Sequence, residues 1–540
     1  MPAARRRWNG WGLEGEGTAL PPSAAAWLAD RLGRGAPTAP VPETALHPPA
    51  PRPLPAFSSA AARDDATRCR HACGQSFPDL VALRRGAVAA FPDAVLFPVT
   101  EGEVVADLGL AARSGVRVVV RGGGTSVVGG VTVPVSASPV VVMALDGLRG
   151  LAALDEVSLL ATFRAGTPGP EVEGALTPHR LQLGHEPQSF EFSTVGGWIA
   201  TRSAGQRSTG VGKIDDLVAG VEVATADGLW RLPAQPASAA GPELRRLILG
   251  SEGRLGVITA ATLRVRRRPA RESGTTVLFP SWEAGVAACR EVLQRRVPVE
   301  VLRLSDDAET SFAASLLALS APARALAKVV FSARRFRRAC ALLLGWAGSA
   351  DEVADAESRC AAVWRAHDGM GVGRGGWRRW RVERFRHPYL RDALLDAGWG
   401  VDTLETAAPW GTLAPLADAV RDALRAAGEE AGLPVAVLCH LSHAYRDGAS
   451  LYFTFFWPLT AGGEVEQWQR LKSAATRALL AAGGTVSHHH GVGTMHRPYL
   501  GCEVGRQGLA VLAAAARALD PAGSLNPGVL LGDGGEGEEG

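Results

Sequence analysis

Short valine-rich runs recur between glycine and aspartate turns from residue 88 to residue 270, and they restrict the fold more than any other feature. Each run has the length and β-branched content of a strand. The stretch between the first two, residues 101–115, repeats apolar residues at helical spacing. Strand, helix and strand in succession predict an α/β sheet. The runs cover residues 95–99, 116–120, 139–145, 217–226 and 255–265.

The sequence changes character at about residue 272. Amphipathic or apolar stretches of helical length predict helices at 286–296, 311–320, 337–348 and 467–484. An aromatic stretch at 451–459 predicts a strand. Residues 272–480 are therefore predicted to form a second domain, of α+β type.

Both ends of the chain differ in composition from the middle. Residues 15–56 are rich in alanine and proline, which favours extended, loosely packed chain. We therefore expect the folded body to begin near residue 65. The tail after residue 531 contains mostly glycine and glutamate and is predicted to be disordered.

Length and composition exclude several classes of protein. The chain has 540 residues, more than one ordinary domain of roughly 150 residues contains. Hydrophobic residues make up 46% and charged residues 21%, which excludes a disordered protein. A net charge of +3 argues against bulk electrostatic capture of nucleic acid.

The seven cysteines are scattered and odd in number, so they do not indicate a disulfide framework. Cys69, His71 and Cys73 resemble half of a zinc site, but no second ligand pair follows, and we expect no metal. No apolar run approaches the length of a membrane span. The basic start lacks the apolar segment of a secretory signal, so the chain is predicted to be cytoplasmic.

Three loops of small residues follow predicted strands. The first is Arg121-Gly122-Gly123-Gly124-Thr125-Ser126, whose glycines allow positive φ angles and whose amides can cradle a pyrophosphate. Its spacing is not that of a Rossmann turn, and alone it would be equally compatible with a plain turn. The second segment runs from residue 188 to residue 205, and the third from residue 250 to residue 259. Together they predict one extended dinucleotide cradle.

The three loops resemble the FAD-binding domain of the vanillyl-alcohol oxidase/PCMH-type flavoprotein superfamily. The resemblance implies FAD as cofactor. Many members attach FAD through a histidine in the first loop, and Thr125 occupies that region here, which implies non-covalent FAD. By resemblance, the cofactor-binding residues are Arg121, Gly122, Gly123, Gly124, Thr125, Ser126, Gln188, Ser189, Phe190, Glu191, Phe192, Ser193, Thr194, Thr201, Arg202, Ser203, Ala204, Glu252, Gly253, Arg254, Leu255, Gly256, Val257 and Ile258.

Further segments resemble the alkylglycerone-phosphate synthase family, also called alkyl-dihydroxyacetone-phosphate synthases. They are RRRWNGWG, HEPQSFEFSTVGGWIATRSAG, GSEGRLGVIT, LRLSDD, PYLRD, LYFTFFW and SHHHGVG, in the family's order from Arg7 to about residue 530. The resemblance implies a transferase of ether-lipid synthesis. It would exchange the acyl group of acyl-dihydroxyacetone phosphate for a fatty alcohol through a flavin N5 adduct, with no net redox change.

The resemblance also assigns roles to residues of this chain. Arg391 would bind the substrate phosphate, since a guanidinium can donate two parallel hydrogen bonds, although a salt bridge to Asp392 is the alternative. Tyr452 and Arg303 would be catalytic, the alternatives being a core tyrosine and a surface arginine. Catalysis would also involve the adjacent imidazoles of His488, His489 and His490, of which His489 is the first choice for the C1 base.

Two alternatives remain open for the three adjacent histidines: they could bind a metal ion, or they could be exposed to solvent without a specific role. A single metal ion would need a third, distant ligand, because neighbouring imidazoles do not face one way.

Two other functions remain open. An FAD-linked oxidoreductase, a 2-hydroxyacid or alcohol dehydrogenase or oxidase, would share the cradle and an ending like the one at residues 520–528. Enzymes of that group often carry a segment like HxGDGNxH, whose histidines can bind a metal. The corresponding stretch of this chain is residues 443–452, in which Tyr452 occupies the position of the last histidine. The second is a flavin-binding protein that has lost catalysis and serves as a partner subunit. Such a protein would lack catalytic residues, whereas this chain has Arg391, Tyr452 and the three histidines.

The predicted fold class is α+β, a PCMH-type FAD-binding domain of two α/β subdomains with an α+β cap or substrate domain. The predicted boundaries are a partly disordered extension at 1–86, the FAD-binding domain at 87–271 and the cap at 272–480. A C-terminal segment returning to the flavin site covers 481–531, and a disordered tail covers 532–540.

The arginine- and tryptophan-rich stretch 373–385 is compatible with contact to anionic lipid headgroups or nucleic acid, and equally with a solvated amphipathic helix. The expected partners are the two lipid substrates. Nothing else in the sequence indicates nucleic acid. Peripheral contact with the membrane surface and a homodimer are compatible with the sequence.

Overall fold

The computed structural model describes residues 5–317, 336 and 338–532. The last three residues of the predicted helix 311–320 lie outside these, as does the predicted tail apart from residue 532. The α-helices are α1 Pro22–Leu32, α2 Asp65–Arg70, α3 Phe77–Arg85, α4 Glu101–Ser114, α5 Gly169–Leu176, α6 Val195–Ala200, α7 Ser208–Val211, α8 Ile214–Leu217, α9 Arg245–Ile248, α10 Trp282–Gln294, α11 Asp307–Leu316, α12 Ala350–Ala366, α13 Gly375–Glu383, α14 His387–Asp396, α15 Leu413–Glu430, α16 Glu464–Ala481 and α17 Arg497–Leu519.

The first sheet is the α/β unit that the sequence predicts. Three parallel strands lie in the order β2-β4-β3, and β1 adds to β2 in the antiparallel sense. Helix α4 connects β2 to β3, with Thr100 accepting a hydrogen bond from the N–H of Glu103 at its start and Gly115 in the left-handed conformation after its end. The strands are β1 Ala60–Ala62, β2 Ala94–Phe97, β3 Arg117–Arg121 and β4 Val140–Ala144.

The second sheet is antiparallel, in the order β5-β6-β10-β8-β9. One hydrophobic cluster contains side chains of both sheets and of α4, so the two sheets share a core. The strands are β5 Leu151–Asp155, β6 Leu160–Arg164, β8 Val218–Thr225, β9 Gly228–Leu232 and β10 Val257–Arg264, with a separate short pair formed by β7 Leu181–Gln182 and β11 Arg266–Arg267.

The largest sheet in the described residues is antiparallel, in the order β15-β12-β14-β13-β17-β18-β16. Alternate residues of a strand point to opposite faces. Leu302, Leu441 and Phe453 accordingly lie in a core that also holds residues of α10, α12, α15 and α16, while their neighbours face the other way. The strands are β12 Arg271–Phe279, β13 Val301–Ser305, β14 Cys340–Gly348, β15 Met370–Gly373, β16 Trp399–Pro409, β17 Ala436–Ala444 and β18 Gly448–Pro458.

The predicted helix at 337–348 is wrong. Residues Cys340–Gly348 form β14, which pairs with β12 on one side and β13 on the other. A central strand packed on both faces has a continuous apolar run, and such a run does not distinguish a strand from a buried helix.

The expectation of extended, loosely packed chain over residues 15–56 is wrong for residues 22–32. Residues Pro22–Leu32 form α1, in which Ala24, Leu28 and Leu32 are buried at a spacing of four residues. They pack in one cluster with Phe312 of α11 and with side chains of α14, β16, β17 and β18. The many prolines on both sides of this short helix dominate the composition of residues 15–56, so the composition does not reveal the apolar residues at helical spacing.

The C-terminal residues return to the first sheet. Leu525 forms a parallel bridge with Val118 of β3. The side-chain oxygen of Asn526 accepts a hydrogen bond from the N–H of Val120 at 2.6 Å, and its amide donates to the carbonyl of Glu252 at 2.6 Å. The end of the chain thus joins the first predicted loop to the third.

Candidate active site

One cavity of about 650 Å³ lies between the glycine loops and the largest sheet. A volume of this size is ordinary for a small-molecule or cofactor site. Its wall combines residues of all three predicted loops with residues of the cap. From the loops come Gly122, Gly123, Gly124, Thr125, Ser126, Gln188, Ser189, Ser193, Thr194, Thr201, Ser203, Ala204, Glu252, Gly253, Gly256 and Ile258.

The first loop leaves β3 at Gly122 and is built for close backbone approach. A Cβ atom on Gly123 would lie 1.8 Å from the carbonyl oxygen of Phe192, and Gly124 has a φ of +64°. Within the described part of the chain, the N–H groups of Gly123, Gly124 and Thr125 donate to no other group. Free amides on consecutive residues are what a pyrophosphate requires.

Buried polar atoms on the cavity wall give a second test of ligand fit. Nε of Arg391, Oγ of Ser442 and Oγ1 of Thr276 are buried, and no described residue forms a hydrogen bond with them. Buried polar groups in proteins are almost always paired. A polar cofactor or substrate in the cavity would supply the missing partners.

The second segment is held by its own side chains. The indole N–H of Trp198 donates to Oγ of Ser193 at 2.7 Å, and Oγ1 of Thr201 donates to the carbonyl of Gly197 at 3.0 Å. The amide of Gln188 donates to the carbonyl of Arg384 at 2.6 Å, which connects the segment to the end of α13.

In the third loop, the buried carboxyl of Glu252 accepts hydrogen bonds from the N–H groups of Val492 at 2.6 Å and Gly493 at 2.8 Å. Burial raises the pKa of Glu252 to about 7, although both hydrogen bonds oppose the shift. The third loop is thereby fixed to the chain that follows the three histidines.

Some predicted cofactor residues support the loops from behind and do not line the cavity. Arg121 donates to the carbonyl of Cys73 at 2.8 Å, and Arg202 pairs with Asp215 at 2.6 Å. The others form similar contacts away from the cavity: Phe190 stacks on Phe385, Glu191 accepts from Tyr389, Phe192 packs on Trp11, Arg254 donates to the carbonyl of Leu525, and Leu255 and Val257 lie in the core.

The three histidines point in different directions. His489 and His490 line the cavity, whereas Nε2 of His488 lies 2.7 Å from the hydroxyl of Tyr445. The Nδ1 atoms of His488 and His489 lie 3.0 Å apart. Burial and neighbouring cationic groups hold the pKa of His488 and His489 well below the usual range, so both rings are neutral.

The turn that carries the histidines is organised by a residue the sequence reasoning missed. Glu405 of β16 is buried, and its carboxylate accepts from the N–H groups of His488, His489 at 3.1 Å and His490 at 2.9 Å. The hydroxyl of Ser487 donates to it as well, at 2.9 Å. The histidines, beginning with His490, and these hydrogen bonds lower the pKa of Glu405 to about 2 against the effect of burial.

Tyr452 lies on β18 between the histidines of two elements. Its ring stacks on His440 of β17 at 5.0 Å between centroids and on His489 at 6.0 Å. Burial raises the pKa of Tyr452 to about 12, so its phenol is protonated at neutral pH. The alternative reading of Tyr452 as an ordinary core residue is at variance with its place on the cavity wall.

Arg391 reaches the cavity from α14. It does not form the alternative salt bridge, because Asp392 pairs with Arg7 at 3.1 Å and accepts from the N–H of Trp11 at 2.8 Å. Arg391 instead donates to the backbone carbonyl of Gln75 at 2.7 Å and to its side-chain oxygen at 2.5 Å. Burial lowers the pKa of Arg391. Its guanidinium is fixed by neutral acceptors, and among the described residues no carboxylate forms an ion pair with it.

Arg303 lies on β13 and is part of a buried cluster. It donates to Glu309 at 2.7 Å, and Glu309 lies 3.1 Å from Nδ1 of His440. The adjacent imidazole and guanidinium hold the pKa of Glu309 well below its usual value. All three residues line the cavity, so the surface alternative for Arg303 is wrong.

Sequence reasoning did not single out Glu309, Glu405 or His440. It recognised Trp11 and Asn526 only as members of the segments RRRWNGWG and 520–528, without a role at the site. His440 precedes the recognised segment 443–452 by three residues. Its closeness to that segment in the sequence could have indicated that it belongs to the site. Glu405 lies outside the recognised motifs. Asn526 lies inside the recognised ending 520–528, but only its tertiary contacts with Val120 and Glu252 bring it to the site.

Two groups of side chains in the described part of the chain are candidates for metal binding. Ligand atoms of Glu405, His488 and His489 lie within 4.8 Å of one another, but the carboxylate already accepts four hydrogen bonds that an ion would have to displace. At the other position, burial raises the pKa of Cys69 to about 11 and that of Cys73 further, which disfavours the thiolates that zinc requires.

Two regions of the chain match known families. Residues 92–232 match the family described as FAD binding domain, and residues 268–530 match the family described as FAD linked oxidases, C-terminal domain. The loops of the cradle lie in or just beyond the first region, and the catalytic candidates lie in the second.

Two curated relatives represent the two main predicted functions. The chain is 31% identical over 476 residues to an alkyldihydroxyacetonephosphate synthase of Dictyostelium discoideum, covering 87% of this chain and 78% of that protein. It is 26% identical over 448 residues to the glycolate oxidase subunit GlcD of Bacillus subtilis, covering 82% of this chain and 89% of that protein.

A solved structure of an alkyldihydroxyacetonephosphate synthase superposes on this chain with a TM-score of 0.83 at 26% identity. The superposition covers 97% of this chain and 98% of the other. The predicted α+β class, with an FAD-binding domain and a cap, is confirmed.

Proposed function

The chain belongs to the alkyldihydroxyacetonephosphate synthase family, and on this premise we propose that it is an FAD-dependent transferase of ether-lipid synthesis. It exchanges the acyl group of acyl-dihydroxyacetone phosphate for a fatty alcohol, with no net redox change. One observation carries the proposal most directly: a single cavity joins the cofactor cradle to Arg391, Tyr452 and His489.

Arg391 binds the substrate phosphate. A phosphate dianion is a strong partner for a guanidinium, and the buried Nε of Arg391 lacks a partner in the described structure. The hydrogen bonds to Gln75 hold the guanidinium in one orientation before substrate arrives. An arginine fixed in this way favours phosphorylated substrates over simple hydroxy acids.

His489 holds and moves the C1 proton. Its Nδ1 lies against His488, which leaves Nε2 for the substrate. A neutral imidazole can accept a proton, and its depressed pKa favours giving that proton up again. The hydroxyl of Tyr452 and the guanidinium of Arg303 stabilise negative charge on the substrate's ketone oxygen, and Glu309 and His440 hold Arg303 in position. A bound FAD would supply a nucleophilic ring nitrogen for the exchange at C1, with no net change in its oxidation state.

The apolar part of the cavity accepts the hydrocarbon chains. It contrasts with the polar half beside the glycine loops and excludes water from the reacting atoms. Its lining includes Phe312, Leu316, Leu390, Leu394, Val401, Leu438 and Phe456.

The deciding experiment uses purified protein with acyl-dihydroxyacetone phosphate and a long-chain alcohol. We expect an ether product, and an oxidised-flavin spectrum that changes with the acyl substrate and returns when alcohol is added. D-lactate, glycolate and D-2-hydroxyglutarate, tested without oxygen, should leave the spectrum unchanged. Stable bleaching by one of these acids, with no ether formed from the lipid, would indicate an oxidoreductase instead.

The flavin is held without a covalent bond, because Thr125 stands where a linking histidine would be and offers no nucleophilic nitrogen. Acid precipitation should therefore leave the yellow colour in the supernatant. Colour that stays in the pellet would contradict non-covalent binding.

Contact with membranes involves the exposed face of α13. Trp377 packs inward and stacks on Trp380 at 5.0 Å, while Arg378, Arg379 and Arg381 face solvent. This is the amphipathic helix that the sequence allows, and its basic face suits anionic headgroups. In the described residues no helix is both long and apolar enough to cross a bilayer. The homodimer and the cytoplasmic location stay predictions.

A further inference from the structure

A line of hydrogen-bonded side chains leads from the cavity towards the protein surface. His489 lines the cavity, and its Nδ1 lies 3.0 Å from Nδ1 of His488. On the far side of the His488 ring, Nε2 lies 2.7 Å from the hydroxyl of Tyr445. Tyr445 is half-buried and is followed by the exposed residues Arg446 and Asp447, in the turn between β17 and β18.

Among the described residues, the groups around His488 and His489 do not offer a second hydrogen-bonded path for a proton on His489. His443 stacks on His488 at 5.4 Å, but its Nδ1 is bonded to Ser208 at 2.6 Å. Lys213 donates to the backbone carbonyl of His488 at 2.5 Å and fixes the main chain there. Glu405 binds the backbone N–H groups of the histidine turn and lies 3.8 Å from the His489 ring, beyond hydrogen-bond distance.

We propose that His488 and Tyr445 form a proton relay between His489 and solvent, and that His488 acts through His489 and not on the substrate. The inference rests on the proposed function, in which His489 takes the C1 proton. It assigns a role to Tyr445, which the sequence did not single out.

The proton balance follows from the two hydrogen bonds. At rest, Nδ1–H of His489 donates to His488, Nε2–H of His488 donates to Tyr445, and the phenol donates to water. When Nε2 of His489 takes the C1 proton, the carbon keeps the electron pair. The Nδ1 proton of His489 moves to His488, the Nε2 proton of His488 moves to Tyr445, and the phenol proton passes to water or a buffer base. One positive charge reaches solvent, and reversing the sequence returns a proton to C1.

The relay has a physical purpose in this site. The carboxylate of Glu405 lies 3.8 Å from the His489 ring, but it already accepts four hydrogen bonds from the histidine turn. An imidazolium at position 489 would also lie among His443, His490 and Lys213, away from bulk water. Each of these groups disfavours a second positive charge. Moving the charge away as the C1 proton is taken removes this penalty.

Tyr445→Phe tests the relay, because it removes one hydroxyl and keeps the ring. Tyr499→Phe is the matched control, a half-buried tyrosine outside the relay. We expect Tyr445→Phe to lower kcat roughly tenfold or more with little change in KM, since proton-transfer groups act on the chemical step. Imidazole buffer should restore part of the loss in Tyr445→Phe and have no effect on wild type.

Solvent isotope effects give a readout that a structural role would not alter. In mixtures of H2O and D2O, the rates of wild type and Tyr499→Phe should vary non-linearly with the deuterium fraction, as expected when several protons transfer in the rate-limiting step. The Tyr445→Phe rate should depend on it linearly. The double variant His488→Gln/Tyr445→Phe should be no slower than His488→Gln alone, because both changes interrupt one path.

Nitrogen-15 spectra of the histidine rings test the resting arrangement without turnover. We expect the proton on Nδ1 of His489 and on Nε2 of His488. The opposite tautomers, or a Tyr445→Phe variant with wild-type rate and isotope effect, would overturn the relay. A loss of rate that buffer does not restore would also overturn it. If wild type forms no ether product at all, the proposed function fails, and the spectra still decide whether the hydrogen-bonded line exists.

Discussion

Three residues on the cavity wall have backbone angles that are uncommon outside glycine. Glu252 has a φ of 49°, His443 of 45° and Asn526 of 38°. Such angles cost free energy and persist where surrounding contacts enforce them, often at functional sites. Here the contacts are the amides that bind Glu252, the serine that binds His443 and the two hydrogen bonds of Asn526. These contacts hold the three residues in their conformations without a bound ligand.

At the same scale, Arg391→Ala should lower kcat/KM for the phosphorylated substrate by about 10- to 100-fold, the value of a charge-assisted hydrogen bond. Flavin content should be unchanged, because Arg391 lies outside the three loops. Steady-state kinetics and the flavin-to-protein absorbance ratio measure the two effects.

Arg391→Lys tests whether the geometry of the guanidinium matters in addition to its charge. An ammonium keeps the charge but cannot make the two-pronged contact, so it should recover only part of the loss. Normal turnover of the phosphorylated substrate by Arg391→Ala would contradict the phosphate assignment.

At the scale of elements, β16 and the histidine turn depend on one carboxylate. The pKa of Glu405 is lowered from 4.5 to about 2 in the folded protein. Its stabilising effect is complete above about pH 4.5 and is lost as the pH falls towards 2. Integrated over this window, it amounts to about 3 kcal/mol of unfolding free energy.

Glu405→Gln should remove this pH dependence and lower the unfolding free energy near neutral pH. Urea unfolding at pH 3 and pH 6 measures both, with the exposed Glu466→Gln as control. An unchanged difference between the two pH values would show that Glu405 does not hold the turn.

Elements with a local signal could be predicted, and those defined by partners could not. The first sheet follows from alternating strand and helix patterns, and the small-residue loops follow from glycines that only close packing explains. The strand Cys340–Gly348 has an apolar run without period, so its partners β12 and β13 decide its form. The catalytic histidines carry a visible motif, whereas Glu405 and Glu309 are ordinary acids until the sheet places them beside imidazoles.

At the scale of the whole molecule, Arg207 joins the cradle to the cap. It contacts Glu300 at 2.8 Å, Glu272 at 3.1 Å and Glu186 at 3.7 Å, all partly or fully buried. Glu300 and Glu272 belong to the cap side, and their other partners include Arg266 and Arg381. Removing one member of such a cluster leaves buried charges unpaired.

We therefore expect Arg207→Met to destabilise the protein by about 3–5 kcal/mol, as removal of one buried partner does. Because the two sides have separate hydrophobic cores, heating should then give two transitions where wild type gives one. Arg231→Met, which removes an exposed pair with Glu222, should cost at most about 1 kcal/mol. Calorimetry distinguishes the cases, and a single unshifted transition in Arg207→Met would contradict the prediction.

Asn526 joins β3 to the third loop, and this has a consequence for biosynthesis. The ribosome makes the three loops hundreds of residues before it makes the asparagine that connects two of them. A nascent chain can fold its first sheet early, but the cradle is incomplete until residue 526 has emerged. Flavin loading is thereby a late event, and products of premature termination would be released without a finished pocket for the cofactor.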